Sequence, residues 1–170
     1  MLLQKDAVNA PFYYRYIQLA ADTDVAASIA ANTQAVTTFL EQLPAEKWDY
    51  AYAPGKWTIA EMLQHIIDAE RVFVYRALTF ARMDETPLPG FGEDDWAVSA
   101  NKAGRKAESI FAEFKLLRAA TEAFFLFLTD EELSAKGSAN NNVCNVLALG
   151  YIVAGHAAHH MNVIKERYLN

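Results

Sequence analysis

Four segments of this chain repeat apolar residues at three- and four-residue steps, the period of an α-helix with one buried face. The predicted helices cover residues 22–43, 58–82, 107–128 and 145–168. No segment between turns alternates apolar and polar residues as a half-buried strand would. The predicted fold class is therefore all-α, a bundle of four helices.

Residues that bond free backbone groups mark the ends of these helices. Asp22 or Thr23 is the predicted N-cap of the first helix, and Pro44 follows its end. Thr58 is followed three residues later by Glu61, the spacing of a capping box, so the second helix has a well-defined start.

The connections between the predicted helices differ in length and composition. Residues 83–98 hold two prolines and two glycines, and such a long connection can carry the chain from one end of a bundle to the other. Helices two and three would then run parallel. Residues 99–102 are an alternative start for helix three. We expect a loop at 136–142, before the N-cap Asn145, and an aromatic arm within 1–21 that lies across the bundle.

Composition favours one globular domain spanning residues 1–170. Its 53% hydrophobic and 21% charged residues are typical of globular proteins. The net charge of −6 argues against nucleic acid, and no apolar run reaches the length that spans a membrane. The charged pair in the first six residues does not suit a signal peptide, and the lone Cys144, which we interpret as structural, excludes an internal disulfide. We expect a cytoplasmic protein.

Three of the four histidines fall within five positions of the last predicted helix. His156 and His160 are four residues apart, so on a helix they stand about 40° apart around the axis and about 6 Å along it. Two such imidazoles can bind one ion, and His65 can join them from the second helix. Three neutral imidazoles and a solvent position would form an open divalent-metal site. The alternative is a set of surface or hydrogen-bonded core histidines.

Several polar and aromatic residues near these histidines are candidates for supporting roles. Asp68 or Glu61 would bond the outer nitrogen of an imidazole, line a pocket, or simply lie on a solvated helix edge. Trp57 and Tyr52, on the loop before His65, are candidates for a pocket rim.

Other residue pairs and runs are interpreted as structural. Adjacent charges on a helix point in different directions, so the pairs at 70–71 and 166–167 are expected to form ion pairs between helices or at a dimer surface. The aromatic run at 124–128 is expected to be core with one exposed edge.

Five groups of residues in order along the chain carry a resemblance to a known family: 52–58, 65–71, 75–82, 87–91 and 155–168. In these groups the chain resembles the DinB-like superfamily of four-helix bundles, which includes YfiT-like proteins and related thiol transferases. The resemblance implies homodimers, a bundle with parallel second and third helices, and a divalent metal, zinc or nickel. The implied ligands are His65, His156 and His160, which leaves His159 as a supporting or outward residue.

Three functions are compatible with such a site. The resemblance implies a transferase that conjugates a low-molecular-weight thiol to small electrophiles, although no residue is assignable to a particular thiol. A metal-activated water would instead make the protein a hydrolase. A non-catalytic interaction module would hold the ion in a closed site, with Asp68 or His159 as a fourth ligand.

Overall fold

The computed structural model describes residues 1–101 and 104–169, and within them it is mostly helical. The long helices are α2 (Val25–Glu41), α3 (Ile59–Ala81), α5 (Ala107–Leu126) and α7 (Val146–Arg167). The short elements are α1 (Tyr14–Ile17), α4 (Glu93–Asn101), α6 (Asp130–Ser134), β1 (Lys136–Ala139), β2 (Asn142–Asn145) and 3-10 turns at Gln4–Asp6, Pro11–Tyr13 and Ala45–Lys47. The predicted all-α class with four long helices is confirmed. No helix among these residues is long and apolar enough to span a bilayer.

The first long helix begins later than predicted. Its N-cap is Asp24, whose carboxylate accepts a hydrogen bond from the Ala27 amide at 3.0 Å. Asp22 and Thr23 precede the helix. The helix ends at Glu41, two residues before the predicted end, because the next two amides bond to carbonyls three residues back.

The predicted starts of α3 and α7 are confirmed. The Glu61 amide donates to the Thr58 hydroxyl at 3.2 Å, and the Thr58 amide donates to the Glu61 carboxylate at 2.7 Å. The Asn145 side chain accepts a hydrogen bond from the Ala148 amide at 2.9 Å and a second from the Val8 amide at 3.0 Å. Asn145 therefore caps α7 and also fixes the N-terminal segment against it.

The loop predicted at 83–98 is wrong in its second half, which forms α4. Three acidic side chains occupy the first turn of this helix, where the helix dipole is positive. The prolines and glycines at 87–92 obscured the helix because they are turn signals. Residues 99–101 are helical but belong to the end of α4. The alternative prediction, that the third long helix begins at 99–102, is therefore wrong for these residues. Lys102 lies outside the described residues.

Residues 136–142, predicted as a loop, instead form β1 and the turn into β2. Asn140 and Asn141 have φ angles of 49° and 59°, the left-handed conformation that a two-residue hairpin turn needs. The Leu88 amide donates to the Ser138 carbonyl at 2.9 Å, and the Asn140 amide donates to the Leu88 carbonyl at 3.0 Å. The connection after α3 is thus attached to the hairpin.

Helices α3 and α5 run parallel, as predicted. Arg105, just before α5, donates to Gln64 near the start of α3 at 2.9 Å. Further along both helices, Arg118 of α5 forms an ion pair with Glu70 of α3 at 2.7 Å. Because the later contact lies closer to the C-terminus on both helices, the two helices run in the same direction.

Two apolar clusters fill the bundle, and a layer of polar side chains lies between them. On α7 the first cluster ends at Ala154 and the second begins at Ala157, so His156 lies at the boundary. Glu70 and Arg118 lie at the same level, since Arg118 also reaches the Val153 carbonyl at 3.4 Å. The candidate site is therefore embedded between two packed apolar cores.

Candidate metal centre

The structure brings three histidine rings together where α3 and α7 cross. The two helices are antiparallel, because the Tyr168 hydroxyl after α7 donates to the Trp57 carbonyl before α3 at 2.7 Å. His65 Nε2 lies 3.2 Å from His156 Nε2, which in turn lies 3.1 Å from His160 Nε2. Nitrogen atoms of all three rings lie within 4.8 Å of one another. His65 and His156 are buried, and His160 is partly buried.

Hydrogen bonds alone do not satisfy this arrangement. His156 Nε2 faces two other ring nitrogens but carries either one proton or one lone pair, so neutral rings can form only one of the two bonds. His160 Nδ1 is also buried and bonds to no described residue. A cation among the three Nε2 atoms would accept a lone pair from each ring, so these residues fit a divalent metal ion.

Burial keeps all three imidazoles neutral. It lowers the pKa of His65 to about 4 and that of His160 to about 3. The pKa of His156 is also lowered, first by burial and then by repulsion from the positive charges that His160 and His65 would carry. Each ring therefore keeps a lone pair available at neutral pH, as a metal ligand must.

Aromatic rings from α1, from the loop before α3 and from α3 itself surround the histidines. The Trp57 ring centre lies 4.9 Å from that of His65, and the rings of Tyr16 and Phe73 lie 5.3 and 5.8 Å from that of His156. Together they form an apolar wall around the cluster. Trp57 was predicted at a pocket rim and lies beside His65.

Sequence reasoning missed Tyr16 as a neighbour of the site, although it placed the arm across the bundle. Tyr16 approaches α7 so closely that a Cβ atom at Gly155 would lie 1.7 Å from the Tyr16 carbonyl oxygen. Gly155, a glycine in a helix interior next to His156, was the signal of this close backbone approach.

Comparison with known proteins identifies the family of this chain. A sequence model described as the DinB superfamily matches residues 28–164, which include α3, α5 and all three histidines. The chain belongs to the DinB superfamily.

Two individual proteins are similar to this DinB-superfamily chain. A protein of Oceanobacillus iheyensis, provisionally named a metal-dependent hydrolase, is 27% identical over 142 residues, or 81% of this chain and 79% of that protein. YfiT from Bacillus subtilis is described as a probable metal-dependent hydrolase with an unusual four-helix bundle topology. Its structure matches 91% of this chain and 84% of its own with a TM-score of 0.68 at 18% identity, which supports the fold.

Neither carboxylate proposed to bond an imidazole does so. Asp68 accepts a hydrogen bond from Gln64 at 3.0 Å and lies 3.7 Å from Arg71, while Glu61 is engaged in the capping box. The side chains of both residues are thus bonded to partners on or next to α3 and not to His65. Asp68 does line a cavity, which was the second possibility considered for it.

The cluster contains no fourth protein ligand among the described residues. His159, one residue before His160, instead places its ring 5.5 Å from that of Tyr16. Asp68 is also outside the cluster. The closed site expected of a non-catalytic module is therefore not formed by these two residues.

The remaining candidates have structural partners. Glu70 and Arg71 both form ion pairs with α5, to Arg118 at 2.7 Å and to Glu113 at 2.6 Å, so the predicted links between helices are confirmed. Burial raises the pKa of Cys144 to about 11, which agrees with its structural interpretation.

Two further expectations concern Tyr52, predicted at a pocket rim, and the aromatic run at 124–128. Tyr52 packs 5.0 Å from Tyr168 and accepts a hydrogen bond from Arg167 at 3.1 Å, so the contacts of its side chain are with the end of α7. In the aromatic run at 124–128, Phe125 is buried and Phe127 is exposed, the core with an exposed edge that was predicted.

Proposed function

We propose that this protein is a metal-dependent enzyme that holds one divalent ion, zinc or nickel, through the Nε2 atoms of His65, His156 and His160. The observation that carries the proposal is the convergence of three neutral imidazoles with no fourth ligand among the described residues. A tetrahedral ion bound this way keeps one position for a solvent molecule or a substrate.

A divalent ion in this site would supply one chemical function, because a thiol or water that it binds loses its proton near neutral pH. The chain itself would do the rest. The three rings orient the open position, and their burial between two apolar clusters keeps them unprotonated. The rings of Trp57, Phe73 and Tyr16 limit the access of bulk water.

The first candidate reaction is transfer of a small thiol to an electrophilic carbon. The new sulfur–carbon bond forms as the bond from carbon to its leaving group breaks, and the thiol proton passes to solvent. This reaction needs no acid or base beside the ion. That suits a cluster which, among the described residues, contains no carboxylate.

Hydrolysis is the second candidate, and the names of both similar proteins favour it. Water would then be the nucleophile, and an ester or amide the substrate.

Cobalt(II) substitution tests the open position, because its visible spectrum reports a change of ligand. A change on adding a small thiol supports the transferase, and a change only with pH near neutrality supports the hydrolase. A spectrum indifferent to both would contradict an enzyme and favour an interaction module.

Activity provides the second test. The zinc- or nickel-loaded protein should consume either a thiol together with an aryl halide or an ester alone. The His65→Ala variant should be inactive in the reaction that is found, whereas the matched His159→Ala variant should remain active.

A further inference from the structure

A cleft of about 710 Å³ opens between α3 and the segment that follows it. One side of the cleft is the 68–76 part of α3, and the other side is the 88–91 connection together with α4. A second cleft of about 490 Å³ continues from it and shares Arg76, Gly90 and Phe91. Neither cleft has an assigned role in the function proposed above.

The far wall of this cleft is apolar and held in place. The Phe91 and Trp96 rings lie 5.0 Å apart, and Leu88 is attached to the hairpin by its two backbone hydrogen bonds. A Cβ atom at Gly90 would lie 2.5 Å from the Asn140 side chain, so the connection packs closely on the hairpin turn. Such a wall can receive an aromatic or aliphatic group without first folding around it.

Arg76 lies at the junction of the two clefts and is only 3% exposed. Its guanidinium donates to the Pro89 carbonyl at 2.8 Å, interacts with the Tyr13 side chain and lies 5.9 Å from the Phe91 ring centre. No carboxylate of the described residues forms an ion pair with it. A buried cation without an anionic partner costs free energy, and an anionic ligand group would offset that cost.

The other charges around Arg76 determine in which of the two clefts an anionic group can bind. In the larger cleft, Asp68 is already bonded to Gln64 and close to Arg71. The acidic first turn of α4 lines the smaller cleft and would repel an anion there. An anionic group is therefore best placed on the larger-cleft side of Arg76.

The cleft follows the same face of α3 that carries His65. Val72 and Arg76 come 7 and 11 residues after His65, about two and three turns along the helix, or about 10 and 16 Å. The larger cleft therefore begins within about two helical turns of His65 and extends away from it along α3.

We propose that this cleft binds an organic substrate with an apolar, preferably aromatic, body and a carboxylate that pairs with Arg76. The role of this molecule as substrate rests on the function proposed above. Its binding does not, because Arg76 and the aromatic wall are formed without an ion.

Calorimetric titration of the metal-free protein with 4-phenylbutyrate and 4-phenylbutanamide tests the proposal. The two probes share an apolar body of the same length and differ in the end group, which is an anionic carboxylate in one and a neutral amide in the other. The acid should bind at least about tenfold more tightly, as a charged hydrogen bond warrants. Equal affinity of the two probes, or no binding of either, would overturn the proposal.

Substitutions in the cleft test which residue causes the tighter binding of the acid. Arg76→Gln should make the two probes bind equally. The matched control is Arg71→Gln, because Arg71 lines the same cleft but is half exposed and paired with Glu113. This control variant should still bind the acid more tightly than the amide. If Arg76→Gln fails to fold, Val72→Trp, which fills the cleft, should abolish binding of both probes. A preference that survives Arg76→Gln, or binding that survives Val72→Trp, would refute the assignment.

The same titrations separate this proposal from the metal site. Acid-selective binding in the metal-free protein and in His65→Ala supports the cleft even if no ion binds to the histidines. If the protein binds the ion but binds the acid and the amide equally, the metal-dependent function proposed above still stands and the proposal for the cleft is wrong.

Discussion

Replacing Arg118 with Met should destabilise the protein strongly, because Arg118 is a buried cation paired with a buried carboxylate. Arg118 and Glu70 are 0% and 2% exposed, and their ion pair at 2.7 Å links α5 to α3. The variant would leave a buried carboxylate whose remaining donor, within the described part of the chain, is the Thr121 hydroxyl at 2.7 Å. Breaking a buried pair from one side costs about 3–5 kcal/mol.

Urea unfolding followed by circular dichroism measures this loss. Domains of this kind have unfolding free energies of about 5–15 kcal/mol, so a loss of this size lowers the urea midpoint measurably, and a domain near the lower limit would be largely unfolded without urea. The matched control is Arg71→Met, next to Glu70 on α3, because the pair of Arg71 with Glu113 also joins α3 to α5 but is partly exposed. That variant should cost about 0–1 kcal/mol.

A double-mutant cycle shows whether the uncompensated charge is the cause. Adding Glu70→Gln to Arg118→Met removes the buried negative charge, so the double variant should be more stable than the Arg118→Met single variant. If Arg118→Met costs less than about 1 kcal/mol, or if the two losses simply add, the argument from charge burial is wrong.

The metal-free protein should lose stability as the pH falls. His65 and His160 titrate at 6.5 when unfolded but at about 4 and about 3 when folded, so below 6.5 only the unfolded chain gains these protons. The loss should total about 1.4 kcal/mol for each histidine in urea unfolding between pH 7.5 and 5.5, and a flat profile would contradict the burial argument. Gly155→Ala should displace the arm at Tyr16, lower the melting temperature and expose residues 1–21 to proteases. An unchanged melting temperature would contradict the close contact between Gly155 and the Tyr16 carbonyl. We also expect a homodimer, so light scattering should give about twice the chain mass of 19.0 kDa, and a monomer at micromolar concentration would refute this.

Helical periodicity and capping residues were enough to predict the four long helices. The Thr58 and Asn145 caps form as expected because a cap depends only on neighbouring residues. The parallel course of α3 and α5 also followed from the length of the connection between them. The hairpin was not predictable, because strands of four residues are too short to show alternation and are stabilised by pairing with each other and with Leu88.

The histidine cluster was predictable in part. The spacing of His156 and His160 placed two rings on one side of a helix, and the direction of α3 brought His65 to them. The surroundings of the cluster depend on tertiary contacts that the sequence does not encode locally. Tyr16 reaches His156 only because Gly155 admits the arm, and Asp68 turns from His65 to Gln64 and Arg71.

The metal content of the purified protein tests the central claim most directly. Protein incubated with zinc or nickel and dialysed should hold one ion per chain by elemental analysis. His65→Ala, His156→Ala and His160→Ala should each hold none, while His159→Ala should still hold one. No ion in the unmodified protein, or loss of the ion in His159→Ala alone, would contradict the assignment of His65, His156 and His160 as the metal ligands.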